Sequence, residues 1–141
     1  MPRLSDDMLR RLADIDGWNR VAIGAATVPS FGAHPIEAGI ARFYRLPGRE
    51  DVAEVAVTVV DALQQRGLGG VLLRELTRVA RERGLRTFVA SVLPDNEPMI
   101  RLIRRLDPQA TPHLEDGLYV YEIALEAGAA RVPWPVRPRA A

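Results

Sequence analysis

The sequence predicts a single α/β domain in which helices flank a mixed, mostly antiparallel sheet. Short alternating strands separated by Gly and Pro turns fill the first half of the chain. In the second half, β-branched or apolar runs alternate with helical patterns, which is typical of strand–helix–strand units. The 141 residues fit one domain with a sizeable core. We place this domain at residues 1–126, followed by a tail rich in Pro, Arg and Ala at residues 127–141.

The first half should contain one short helix and an antiparallel meander. Ser5 with two following acids is typical of a helix start, so a helix is expected at residues 8–13, ending before Gly17. Three strands follow at residues 19–27, 39–46 and 52–60. The polar turn at residues 47–51 should join the last two of them.

The second half should contain two helices, a buried strand and a hairpin. Apolar residues at helical spacing follow Gly70, and Gly84 has the position of a helix C-cap. A short apolar strand of the parallel type is expected at residues 87–93. Asn96 starts the next helix, which the pair Asp107 and Pro108 ends. Residues 111–114 and 118–125 should form the hairpin.

The segment at residues 54–70 combines a strand, a glycine-rich turn and a helix start, which indicates an anion site. The first amides of a helix lack intrahelical partners, and the helix dipole adds partial positive charge there. The glycines Gly67, Gly69 and Gly70 allow close approach to this backbone. No Lys-Ser/Thr pair follows them, and their spacing differs from the dinucleotide-binding G-x-G-x-x-G.

The pattern Gln64-x-x-Gly67-x-Gly69 resembles the Q/R-x-x-G-x-G/A signature of the GNAT N-acetyltransferases. The strands and helices around it occur in the order of that family, and the resemblance covers roughly residues 18–125. Ala-Glu-Val-Ala-Val before the loop and Asn-x-x-Met after it are similar to the bacterial protein-lysine acetyltransferase (Pat-like) branch. The resemblance implies a GNAT fold and acetyl-coenzyme A (acetyl-CoA) as acyl donor.

The resemblance also implies roles for individual residues. Glu54 corresponds to a glutamate that removes a proton from the acceptor amine, although a strand carboxylate paired with Arg42 or Arg45 is the alternative. The strand that bears it should separate from its parallel neighbour, so that pantetheine pairs with the freed amides. The implied cofactor-binding residues are Val57, Val59, Gln64, Gln65, Arg66, Gly67, Leu68, Gly69, Gly70, Asn96 and Met99.

Two features depart from the family pattern. Ile103 stands where many members have a tyrosine that protonates the leaving thiolate. Tyr119 and Tyr121 are either substitutes for it or packed aromatic residues. The N-terminal strand and helix of a full domain are also expected to be missing. Either the sheet lacks that strand or a second chain covers the edge, as in a homodimer.

Composition excludes several classes of function. A net charge of +1 gives no electrostatic case for nucleic acid or a membrane surface. There is no cysteine, and His34 and His113 have no companion ligands, so no metal site is expected. The N-terminus lacks the apolar run of a signal peptide, which favours a cytoplasmic location.

The sequence therefore predicts an acetyl-CoA-dependent N-acetyltransferase that acts on a primary amine, with a protein lysine as the favoured acceptor. A non-catalytic acyl-CoA-binding sensor or regulatory module is the alternative. A third reading is an interaction domain whose glycines only turn the chain.

Overall fold

A computed structural model describes residues 8–14, 18–27, 36–59 and 67–126. In these parts of the chain, seven strands form one sheet in the order β1-β2-β3-β4-β5-β7-β6, accompanied by two helices. The elements in chain order are β1 (Met8–Asp14), β2 (Arg20–Thr27), β3 (Ile36–Arg45), β4 (Val52–Val59), α1 (Leu68–Glu82), β5 (Thr87–Val92), α2 (Glu97–Leu106), β6 (Pro112–Glu115) and β7 (Leu118–Ala124).

The meander and the crossover confirm the sequence prediction. β2, β3 and β4 pair antiparallel in succession, whereas α1 carries the chain across to β5, which pairs parallel to β4. The turn between β3 and β4 has Gly48 at φ 76°, a left-handed conformation that glycine adopts without strain. β6 and β7 form the predicted hairpin, whose turn has Asp116 and Gly117 at positive φ, as a type I′ turn requires.

The predicted helix at residues 8–13 is wrong. These residues belong to β1, which pairs antiparallel with β2 along its whole length, from Met8 opposite Thr27 to Asp14 opposite Val21. The prediction used the local capping pattern at Ser5, which lies outside the described residues. Pairing with β2 outweighs that pattern, because it satisfies the backbone groups of an otherwise open edge. The sheet thus has a strand where we expected none, and the expected need for a second chain beside β2 falls away.

Helix α1 packs on one face of the sheet. Its buried residues include Leu72, Leu76 and Val79, which confirms the predicted apolar stripe. Below it, the rings of Phe43 and Phe88 lie 5.8 Å apart and join β3 to β5. The helix ends in the predicted glycine cap, where Gly84 has φ 81° and the backbone N–H of residue 85 donates to the carbonyl of residue 80 at 3.0 Å.

The arginines of α1 point to solvent, as the sequence indicates. Arg78 is exposed and contacts Glu75 at 2.5 Å and Glu82 at 2.8 Å. The hydrogen bond and charge of Glu75, with a smaller contribution from Glu82, raise the pKa of the Arg78 guanidinium above its ordinary value. These contacts support the surface of the helix and lie away from the site described next.

The end of α2 is tied to the sheet by a buried acid. Asp107 is 7% exposed, and its carboxylate accepts backbone N–H groups from Gln109 at 3.1 Å and Ala124 at 3.0 Å. Ala124 lies on the part of β7 that β6 does not reach, so its N–H would otherwise have no partner on that edge of the sheet. The sequence identified this aspartate only as a helix stop.

Candidate active site

The sheet opens between two of its central strands. β4 and β5 pair at only three positions, the last of which joins Glu54 and Val89. Beyond it, residues 55–59 of β4 and residues 90–92 of β5 continue without pairing to each other, although their outer edges remain paired with β3 and β7. This confirms the predicted separation of the two strands. Backbone groups that point inward on these stretches can therefore pair with an extended ligand.

The N-terminus of α1 lies at the mouth of this opening. Gly67 is the N-cap residue, in the left-handed region at φ 82°, and no side chain caps the helix. No acidic residue is present in the first turn, so the helix dipole is not neutralised there by its own side chains. The first amides of α1 are therefore a candidate anion site beside the end of β4.

Gly69 has a packing role that the sequence did not reveal. A Cβ atom at this position would come within 3.0 Å of Leu102 Cδ1 on α2 and 3.6 Å of Val59 Cγ2 on β4. Gly70 also approaches Leu102, at 3.5 Å. These glycines thus let α2 and β4 pack closely against the start of α1, which fixes the anion site relative to the opening.

Glu54 occupies the vertex of the opening. It is the last residue of β4 that pairs with β5, and its side chain is exposed on the face opposite α1. Within the described residues it forms no ion pair, so the alternative of a pair with Arg42 or Arg45 gains no support. The Arg45 guanidinium instead donates to the carbonyls of Trp18 at 3.3 Å, Arg83 at 2.9 Å, and Glu50.

Tyr44 is the neighbour of Glu54 that the sequence analysis missed. The two residues are directly opposite in the β3–β4 ladder. A hairpin centred on Arg49, inside the predicted turn, already implies this register. Arg20 lies opposite Tyr44 on β2, so one row of side chains crosses β2, β3 and β4 and includes Glu54.

The remaining predicted cofactor-binding residues fall into three groups. Val57 and Val59 lie on the stretch of β4 that does not pair with β5, each with a half-buried side chain. Asn96 caps α2, where its Oδ1 accepts the N–H of Met99 at 3.3 Å, and Met99 is half-buried. The side chain of Leu68 is fully buried, which leaves only its backbone for a ligand. Gln64, Gln65 and Arg66 lie outside the described residues.

Ile103 and the two tyrosines of β7 differ in their burial. Ile103 is a fully buried core residue, and Tyr121 is 1% exposed in the same core. Tyr121 is therefore the packed aromatic residue that the sequence analysis considered. Tyr119 is half-buried and lies opposite Val92 at the far end of β5.

The described residues contain no group of three or more His, Cys, Asp or Glu side chains arranged to hold a metal ion. They also contain no helix that is long and apolar enough to cross a membrane.

The sequence profile of the Acetyltransferase (GNAT) family matches residues 35–107, which contain β3, β4, the glycine turn and both helices. The chain belongs to this family. The opening between β4 and β5 and the N-terminus of α1 both lie within the matched residues.

Individual relatives agree with the Pat-like branch. The acetyltransferase Pat of Mycolicibacterium smegmatis is 42% identical over 66 residues, which are 47% of this chain and 20% of that protein. The GNAT domain of Streptomyces lividans PAT superposes with a TM-score of 0.63 and 34% identity, covering 79% of this chain and 64% of that one. Bacillus subtilis YwnH, whose name proposes phosphinothricin acetyltransferase activity, is 32% identical over 63 residues, or 45% of this chain and 39% of its own length. The matches thus cover less than half the length of both curated relatives.

Proposed function

We propose that this domain transfers the acetyl group of acetyl-CoA to a primary amine, with a protein lysine as acceptor. The observation that carries the proposal is the opening between β4 and β5, which has the Glu54 carboxylate at its vertex and the α1 N-terminus at its mouth. The stretch of β4 that does not pair with β5 comprises five residues, or roughly 16 Å of extended chain. An extended donor with an anionic end fits between these two features.

In this proposal, the coenzyme lies along β4. The backbone N–H groups of residues 66–70 bind the pyrophosphate, since that end of α1 has neither a side-chain cap nor an acid. Backbone groups of Val57 and Val59 pair with the two amides of pantetheine, as a neighbouring strand would. Asn96 and Met99, at the start of α2, contact the pantetheine arm from the other side.

Glu54 acts as the general base. A lysine amine has a pKa near 10.4 in water and is almost fully protonated at neutral pH, so it must lose a proton before it attacks. The proton passes to the Glu54 carboxylate, directly or through a water molecule. The amine nitrogen then bonds to the thioester carbonyl carbon, and an unpaired N–H of β4 stabilises the charge on the carbonyl oxygen.

The transfer ends when the carbon–sulfur bond breaks and the coenzyme leaves as a thiolate. Ile103 is buried and has no acidic proton, so the thiolate takes its proton from solvent. A thiol has a pKa near 8.5, which makes the thiolate a good leaving group without a dedicated acid. The nitrogen loses its second proton to solvent as the amide forms, and Glu54 later releases the first. The products are an N-acetylated amine, the free coenzyme thiol and one net proton.

The surroundings of Glu54 support a protein acceptor. Helix α1 packs on the opposite face of β2, β3 and β4, and Glu54 is exposed on its own face together with Ala56 and Thr58. A small amine needs enclosing contacts to stay within attack distance, whereas a lysine on a protein surface is positioned by the protein that carries it. The branch that the sequence resembles acts on protein lysines as well.

A non-catalytic acyl-CoA-binding module is the second candidate, favoured by the burial of Ile103 at the position of the usual acid. Two measurements separate the candidates. Calorimetry with acetyl-CoA tests donor binding, and thiol release with lysine peptides, proteins and small amines tests transfer. Binding without thiol release for any acceptor favours the module. Efficient turnover of a free amine with no modified protein in mass spectrometry contradicts the lysine acceptor.

A further inference from the structure

The sheet face that carries Glu54 also carries two arginines stacked on one tyrosine. The guanidinium of Arg20 lies 5.7 Å from the centroid of the Tyr44 ring, and that of Arg42 lies 5.9 Å from it. Tyr44 is directly opposite Glu54, and both arginines are exposed. We call Arg20, Arg42 and Tyr44 the arginine–tyrosine surface.

A depression of about 740 Å³ continues this surface away from Glu54. Its lining includes Trp18, Arg20, Tyr44 and the turn between β3 and β4. The Arg45 guanidinium lies 4.6 Å from the centroid of the Trp18 ring and holds it in place from the wall of the depression. The depression is therefore a shaped, basic and aromatic recess rather than a flat area of sheet.

The charge pattern defines the ligand that fits. In the two rows of side chains that cross β2, β3 and β4 at Glu54 and Ala56, the charged residues are Arg20, Arg42 and Glu54. Arg20 and Glu54 are separated by two strand spacings, or roughly 10 Å. A complementary ligand therefore has an ammonium group at one end and a carboxylate about three extended residues away.

We propose that the arginine–tyrosine surface selects acceptor lysines that have Asp or Glu two to four residues away. This inference rests on the proposed function, since it needs Glu54 to receive the lysine amine. Guanidinium groups bind carboxylates through paired hydrogen bonds, and stacking on Tyr44 holds both of them in place for such contacts. The α-amine of a free amino acid does not satisfy the pattern, because it is attached to the same carbon as the carboxylate.

The test uses nine-residue peptides with blocked termini, one central lysine and Asp, Asn or Arg three residues to either side. We expect kcat/KM for thiol release to be about three- to tenfold higher for the Asp peptide than for the Asn peptide, and lowest for the Arg peptide. The preference should shrink as the ionic strength rises from about 0.02 M to about 0.5 M, because the contacts are exposed.

Substitutions of Arg42 test whether the arginine–tyrosine surface causes the preference for the Asp peptide. Arg42→Gln should reduce the ratio of Asp to Asn peptide rates toward one, and Arg42→Glu should reverse the preference in favour of the Arg peptide. Arg74→Gln is the matched control, since Arg74 is also exposed but lies on α1, across the sheet from Glu54. Thermal denaturation by circular dichroism checks that all three variants fold.

The outcomes distinguish this inference from the proposed function. Equal rates for the three peptides, unaffected by either Arg42 variant, overturn the selection of acidic flanks and leave acetyl transfer intact. Thiol release from no peptide, despite acetyl-CoA binding in calorimetry, overturns the proposed transfer and the inference with it. A reduced preference in Arg42→Gln, with an unchanged preference in Arg74→Gln, supports the inference.

Discussion

Gly69 provides a quantitative test of how the anion site is held against the rest of the domain. A valine at this position would place its Cβ 3.0 Å from Leu102 Cδ1, about 0.5 Å closer than the shortest comfortable contact between two carbon atoms. The neighbouring atom is the end of a flexible side chain, so α1 and α2 need to separate only slightly. Overpacking of this kind costs about 1–3 kcal/mol of unfolding free energy, or a fall in Tm of roughly 2–9 °C for a chain of this size.

The same contact predicts strong coupling with Leu102. Leu102→Ala alone should cost about 2 kcal/mol, the lower end of the usual range, because the side chain is only partly buried. In the double variant, the valine at position 69 occupies space that Leu102→Ala has vacated. We therefore expect the double variant to be at least about 1 kcal/mol more stable than the sum of the two single effects predicts.

Urea denaturation of the four proteins measures this coupling, and calorimetry with acetyl-CoA measures the site. Binding should weaken in Gly69→Val and recover in the double variant, because the substitution acts through helix packing and not through a clash with the ligand. Additive stabilities would refute the close packing of α1 on α2. Full stability with abolished binding would instead show that Gly69 faces the ligand.

Three other substitutions test the site. Glu54→Gln should retain acetyl-CoA affinity in calorimetry but lower turnover by about 10²- to 10⁴-fold, the usual contribution of a general base. Unchanged turnover of this variant between pH 6 and 9 would show that another group is the base. Gly67→Ala and its control Gly84→Ala both force alanine into the left-handed region, so each should lower the free energy of unfolding by about 1–2 kcal/mol in urea denaturation. Only Gly67→Ala should weaken acetyl-CoA binding. Equal affinities in the two variants would argue against coenzyme binding at the glycine turn. Asn96→Ala removes the cap of α2 and should lower the free energy of unfolding by about 1 kcal/mol. Asn96→Asp keeps the cap, so a loss of coenzyme affinity in this variant is separate from the loss of the cap. Full affinity in both variants would show that Asn96 only caps the helix.

The sequence alone determined most of the architecture and the centre of the site. The strands β2 to β7 and both helices follow from hydrophobic periodicity and from turn and cap residues, all of which act over a few neighbouring positions. Gly84 and Asn96 illustrate this, since each has the capping geometry that its local pattern predicts. Glu54 was placed before the glycine turn by the motif, and the structure puts it where the two central strands separate.

Tertiary structure decided the features that depend on distant pairing. Residues 8–14 follow a helix-start pattern yet form β1, because β2 supplies backbone partners along the whole strand that no local rule can anticipate. The motif gave Gly69 a role in ligand approach, whereas its missing Cβ makes room for Leu102, 33 positions further along the chain. Strand register likewise brings Arg20, Tyr44 and Glu54 into one row from three separate strands. Local signals fix the elements, but the neighbours of Glu54 are set by contacts between elements, and those depend on the energy of the whole sheet.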